Sequence, residues 1–373
     1  MSHAPLSVLK HVVNIGVPLP FDVLDSLGQL LLARGQVIES HSRLETLCVR
    51  GSMVDLDDVR KCTSRVESAT PQELPGLWVE SMNSISRVLR SARQPMFRIA
   101  LDTAAKPVLE LVARDPDLAL FQILRQDPNP NVQYGVDHSV HCAIVARLVA
   151  QRLGWSDDEC HLAFKAALTM NLSMLELQGV LALRKSPPNP EQREAIRTHP
   201  LRSREMLEAA EVTDADWLRA VEEHHERPDG SGYPGGRREL GQFSELIRRV
   251  DIYCAKLSSR ASREAIQADR AGREMFMSEP NHPMVAAIVK EFGIYPPGCF
   301  VRLESGEQAI VVRRGAQVHA PVVTVLTLRS GELRGDPVRC DTSRPGWRVK
   351  SIIPEREVRV RLPPQQLMGL VGG

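Results

Sequence analysis

Aromatic residues are scarce in this chain of 373 residues, at 4%. Single-stranded nucleic acid is bound by stacking bases on ring faces, so the shortage argues against such a platform. Charge of one sign is also missing, since 47 basic and 46 acidic residues leave a net charge of +1. No global field draws the chain to nucleic acid or to an anionic membrane. Only local basic clusters, Arg237–Arg238 and Arg248–Arg249, could meet an anion. The seven cysteines lie at 48, 62, 142, 160, 254, 299 and 340, an odd number at wide spacing with no CxxC pair. That disfavours a disulfide framework and a cysteine zinc site, and reduced thiols are expected. No apolar run has membrane-spanning length, and the first twenty residues lack a basic region ahead of an apolar stretch. The expectation is a cytoplasmic chain with neither nucleic acid nor membrane as partner.

What is present reads as a globular protein, 43% hydrophobic and 25% charged, long enough for two or three domains. Residues 1–75 read as a small α+β domain, with turns at Ser26–Gly28 and Gly35 and a helix in SHSRLETLCVRG that stops at Gly51. Residues 76–131 have helical spacing and form a lead-in, with Pro107 expected at a helix start. Residues 132–282 are almost entirely helical. One helix is expected from about His138 to Leu153. The next opens on a capping box, Ser156 with Glu159. A third carries His199, and a fourth places Trp217, Val221 and His224 on one face. Residues 283–373 alternate apolar and polar residues between glycine turns, as a small β-rich unit does. The fold class expected is therefore mainly α.

Histidines and acids gather in the helical part. His138 and His141 are neighbours on one helix, His199 lies on a later one, and His224, His225, Glu226 and Asp229 follow. Such a set suits divalent first-row metals, manganese, iron or zinc. Two metals close together would clamp a phosphodiester and activate a bridging water. Packing alone accounts equally well for His224 beside Trp217 and Val221. His141, His161 and His282 read as core or surface residues.

The stretch His224–Pro234, HHERPDGSGYP, followed by two glycines, fits the pattern HHExxDGxGYPxG without a gap. Gly230 and Gly232 permit backbone angles barred to other residues, and Pro234 stiffens the exit. This resembles the HD-GYP branch of the HD phosphohydrolase superfamily. DHSVHCAIVARLVAQRLGWS, IRTHPLRSREML and LIRRVDIYCAKLSSRASR are similar to further family segments. The resemblance implies an all-helical HD bundle and metal ligands at His138, His199, His224, His225 and Asp251. It implies phosphate contacts at Arg260 and Arg263. Asp229, Gly230, Gly232, Tyr233 and Pro234 would form a ligand- or partner-binding loop. Members with the full motif are cyclic di-GMP phosphodiesterases that yield pGpG or GMP. Their loops are associated with partners such as GGDEF diguanylate cyclases.

The His-Asp pair that names the family maps to Met170 and Asn171, and a following lysine maps to Met174. Ser173 replaces a glycine, Tyr134 an acidic residue, and Cys254 an aspartate. Asn171 has no charge with which to bridge two dications, and the Met170 thioether is a poor match for a hard metal. No intact catalytic set is expected, and at most one divalent ion, iron or manganese, in place of a binuclear site. The expected function is a receptor for cyclic di-GMP or a docking protein for a GGDEF-type or other signalling domain. A weak phosphodiesterase is the alternative.

Overall fold

The computed structural model describes residues 3–62, 65–125, 132–358 and 364–371. The expected boundary at residue 131 lies outside them. The chain divides into two compact units, residues 1–114 with 205–213, and residues 115–204 with 214–373.

The first unit begins with short strands β1 (His3–Pro5), β2 (Val23–Leu24) and β3 (Leu30–Leu32). Helix α1 (His41–Val49), strand β4 (Met53–Asp55) and helices α2 (Leu56–Cys62), α3 (Arg65–Ser68), α4 (Leu74–Arg90) and α5 (Phe97–Arg114) follow. The strands pair antiparallel in the order β1-β4-β2-β3. Leu6, Leu9, Phe21, Ile38, Leu44 and Val54 lie in its core. Ser40 caps α1 by accepting from the Arg43 amide, as a serine at that position should. Pro107 does not start a helix, contrary to the sequence reading; it lies inside α5. Residues on both sides of it, Leu101, Ala104, Ala105, Val108 and Leu111, are buried. Burial of that long stripe offsets the roughly 3 kcal/mol that an interior proline costs.

The second unit carries the helical bundle. Its helices are α6 (Pro116–Leu124), α7 (Tyr134–Arg152), α8 (Asp157–Thr169), α9 (Leu175–Ala182) and α10 (Pro190–Ala209), the last of which runs on into the first unit from residue 205. Then come α11 (Ala215–Glu223), α12 (Gln242–Leu257), α13 (Ala268–Ser278) and α14 (Pro283–Phe292). Helix α7 is the axis. It is buried almost all round from Tyr134 to Ala150, which is why its apolar residues show no single stripe. Helices α8, α9, α12 and α14 pack against it. The Ser156–Glu159 capping box forms as read from the sequence. Helix α7 begins a turn earlier than expected, at Tyr134.

Strands β5 (Phe300–Leu303), β6 (Gln308–Arg313), β7 (Val322–Thr327), β8 (Leu333–Asp341) and β9 (Val349–Ile353) follow, with a last helix α15 (Pro364–Gly369). They form one antiparallel sheet in the order β8-β7-β6-β5-β9. Its buried face carries Val301, Leu303, Val311, Val323 and Val325. The mainly α architecture with small N-terminal and C-terminal sheets is the one the sequence implied. Among the described residues, no helix is long and apolar enough to cross a membrane.

Candidate metal centre and its loop

Helix α10 contains a proline one residue after His199. Pro200 has no N–H, so it cannot donate to the Ile196 carbonyl four residues back. The His199 ring takes that carbonyl, with Nδ1 to Ile196 O at 2.6 Å. His224 repeats the arrangement at the end of α11. The last carbonyls of a helix lack helical partners, and His224 Nδ1 lies 2.7 Å from Val221 O. A carbonyl only accepts, so both Nδ1 atoms carry the proton. Both Nε2 atoms are then bare lone pairs, and they face each other at 3.1 Å.

His225 completes the group, with ring centroids 4.2 Å from His224 and 5.1 Å from His199. One nitrogen from each of the three rings lies within 4.8 Å of the others. Burial holds all three neutral. It pulls His199 down to about 3, with the neighbouring His224 adding to the effect. Burial likewise lowers His224, and it lowers His225 well below the usual imidazole range. Neutral imidazoles with converging lone pairs, two of them buried and fixed by backbone carbonyls, are what a metal ligand set requires. Two opposed lone pairs repel unless a cation sits between them. The residues therefore fit a divalent first-row ion.

A second group lies alongside. His138 Nε2 is 2.7 Å from the Asp251 carboxylate, which joins α7 to α12. Burial opposes the charge on Asp251, but the hydrogen bond and charge of His138, then His225 and His224, hold its pKa well below the usual carboxylate range. Cys142 adds a thiol 3.6 Å from His138 Nε2, and the three residues also meet within 4.8 Å.

Met170 ends α8 and is fully buried; Asn171 and Met174 follow it into the core. The Trp217 indole donates to Thr169 Oγ1 at 2.9 Å and ties α11 to this end of α8. Ser173 Oγ donates to the His199 carbonyl at 3.0 Å and anchors the segment to α10. Among the described residues, Asn171 Nδ2 has no hydrogen-bond partner.

The loop after His225 is held from inside. The buried Glu226 carboxylate accepts from the Gly235 amide at 2.6 Å and the Arg237 amide at 3.0 Å. The Arg237 guanidinium bridges back to Glu222 and Glu223 in the last turn of α11. Asp229 accepts from the Ser231 amide and hydroxyl. Gly230 has φ 78°, as its type allows. Gly232 is glycine for a reason other than the one read from the sequence. Its backbone is not in the left-handed region; instead a Cβ there would come within 2.4 Å of the Arg227 nitrogen. Tyr233 lies over His225, centroids 4.7 Å apart, and Pro234 continues the loop. The Tyr233 phenol is pushed up by burial and by Asp251.

Arg260 and Arg263 part company. Arg260 Nε donates to the Tyr134 hydroxyl at 2.8 Å, at the head of α7. Arg263 is exposed and donates to the Ala255 carbonyl.

Sequence reasoning overlooked two contributors and misread a third. Cys142 lies one turn from His138, which was signal enough. Pro200 sat in the quoted THP. Glu226 was grouped with the histidines and acids that suit a metal, and only its amide partners reveal a staple.

Residues 122–279 match the HD domain family. The chain is 27% identical over 236 residues to cyclic di-GMP phosphodiesterase PA4108 of Pseudomonas aeruginosa, covering 61% of this chain and 56% of that protein. It is 31% identical over 133 residues to the cyclic di-GMP phosphodiesterase response regulator RpfG of Xanthomonas campestris, covering 34% of each. A 3'3'-cGAMP-specific phosphodiesterase 3 from Vibrio cholerae is 25% identical, over 44% of this chain and 36% of that protein. The chain thus spans about half the length of the first relative and about a third of the others. The solved structure of Bd1817, an HDG"Y"P protein from Bdellovibrio bacteriovorus, superposes with a TM-score of 0.50 at 15% identity. It covers 78% of this chain and 98% of its own, a likeness of fold alone. With the ungapped loop motif, the helical fold and these similarities together, the chain belongs to the HD-GYP proteins.

Proposed function

We propose that this chain acts in cyclic di-GMP signalling as a ligand-binding and docking protein built on an HD-GYP site, with hydrolysis absent or slow. The observation that carries the reading is the buried pair Met170–Asn171 at the position of the family's His-Asp. Neither residue offers a carboxylate to bridge two cations. Asn171 also brings an N–H donor where a ligand would bring a lone pair. His199, His224 and His225 would hold one divalent ion, iron or manganese. When bound, such an ion supplies Lewis acidity to a phosphate oxygen. His138 and Asp251 remain a hydrogen-bonded pair beside it, and a full binuclear site is not expected.

The relatives' printed activities support a cyclic dinucleotide as ligand. Asp229, Gly230, Gly232, Tyr233 and Pro234 would present the docking loop to a GGDEF-type or other signalling domain. Glu226 supports this, because it fixes the loop from within and leaves Arg227, Pro228 and Asp229 exposed. Arg260 is the arginine better placed for a phosphate, at the head of α7.

One observation favours slow hydrolysis over none: the opposed His199 and His224 lone pairs call for a cation. The decisive experiment is metal analysis with a cyclic di-GMP hydrolysis assay on wild type and on Met170→His/Asn171→Asp. Wild type should carry no more than one ion per chain and release little pGpG. Wild-type turnover as fast as that of intact relatives would refute the proposal.

A further inference from the structure

The sheet of the first unit ends on a strand made only of leucine. Strand β3, Leu30–Leu32, lies at the edge of the order β1-β4-β2-β3. An edge strand offers unpaired N–H and C=O groups to any strand that meets it, and chains commonly guard such edges with proline or charge. Among the described residues the other outer strands are guarded: β1 holds Pro5, β8 holds Arg334 and Pro337, and β9 holds Lys350. Strand β3 has neither. Its side chains are also bare, with Leu30 57% exposed and Leu31 40%, and Leu27 at the hairpin tip is 82% exposed. Val17 and Val37 are exposed at the hairpin foot, where Pro18 bridges to Val37. Leu24 faces Leu30 and Val23 faces Leu32, so Leu31 is left between them as a bulge with no opposite residue in β2. The open stretch is short, because the Gln36 side chain accepts from the Ala33 amide. Most of any attraction there must come from the leucine side chains.

We propose that β3 and its flanking leucines are where a second copy of this chain docks, edge to edge and antiparallel about a two-fold axis at Leu31. This goes beyond the function proposed above and uses none of its residues. Charge complementarity points to a second copy. Asp25 stands before the open edge, its carboxylate held by the Leu27 and Gln29 amides at 2.8 Å, and exposed Arg34 stands after it. Antiparallel pairing about Leu31 sets Arg34 of one copy opposite Gly28 of the other. The Gly28 amide donates to the Asp25 carbonyl at 3.1 Å, so Asp25 lies just across a tight turn, within reach of the guanidinium. The symmetry makes this ion pair twice, on either side of a leucine cluster to which both copies contribute equally. The same charges disfavour a lipid surface. Asp22, Asp25 and Glu39 outnumber Arg34 on the hairpin and its exit, and an anionic bilayer would repel them.

The test is sedimentation velocity on the full chain over a concentration series in reductant. Wild type should form a dimer with a micromolar dissociation constant, a measurement that needs no variant to fold. Leu27→Lys/Leu30→Lys should leave it monomeric with an unchanged circular dichroism spectrum, since both side chains are exposed. Arg34→Glu should weaken the dimer about tenfold or more. Cross-linking reads the register. Under mild oxidation Leu31→Cys should link two copies beyond the wild-type background, because the axis sets that residue against its own copy, and Gln29→Cys should not. Wild type that stays monomeric throughout the series, a dimer unchanged in the leucine variant, or linking at Gln29→Cys with none at Leu31→Cys would each overturn the proposal. Monomeric wild type that sediments with vesicles of phosphatidylserine and phosphatidylcholine would overturn it too, and would assign the leucines to a membrane surface.

Discussion

In the His138 group, a 2.7 Å contact with Asp251 satisfies donor and acceptor without help. In the His199 group, two nitrogens face each other at 3.1 Å and neither has a proton to give. Both groups are histidine-based and buried, and they lie side by side. The difference comes from what each ring's other nitrogen touches. Backbone carbonyls claim Nδ1 of His199 and His224, whereas His138 Nδ1, among the described residues, has only the weak Cys142 thiol at 3.9 Å. The lesson is that backbone geometry, more than donor count, sets which group demands a cation.

The most drastic way to break this contrast is Met170→His/Asn171→Asp, which returns a bridging carboxylate between the groups. Cyclic di-GMP hydrolysis should rise by two or more orders of magnitude, about 3 kcal/mol of barrier, measured as pGpG release under iron or manganese. Next in size, His224→Ala should weaken iron or manganese binding by about 100-fold or more, read by calorimetric titration. Asp251→Asn should change that binding much less. Asp251→Ala should instead lower global stability by about 2–3 kcal/mol in denaturant titration, because it strands the buried His138 ring.

The smallest effect per single step is on pH dependence. His199 and His141 are both pulled down to about 3, chiefly by burial. The unfolded chain takes up these protons near pH 6.5, and the folded chain does not until near pH 3. Stability from this source is therefore complete above pH 6.5 and is lost as pH falls towards 3. The loss should be roughly 1 kcal/mol per pH unit for each histidine, checked by denaturation at pH 7, 6 and 5. His199→Gln and His141→Gln should each flatten the slope by one proton.

Much of this was legible in the chain. The helices, the capping box and the C-terminal sheet follow from periodicity and turn residues, which are local. The convergence of His199 with His224 and His225, and of His138 with Asp251, came through family resemblance, because no local rule spans the separation. Pro107 was misread because propensity speaks only of one turn, while α5 is stabilised by burial along its length. Gly232 was misread because its constraint is the approach of Arg227, a contact made only when the loop closes.

Glu226 follows His224 and His225 with nothing between. The carboxylate that pins the loop and the rings that call for a cation therefore belong to one run of three residues. A torsion that re-aims His225 reaches Glu226 across a single peptide unit, about 3.8 Å of chain. Under the function proposed above, cation occupancy and loop shape would act as two readings of one short lever, and a message from the buried centre to a docked partner would have one residue to travel.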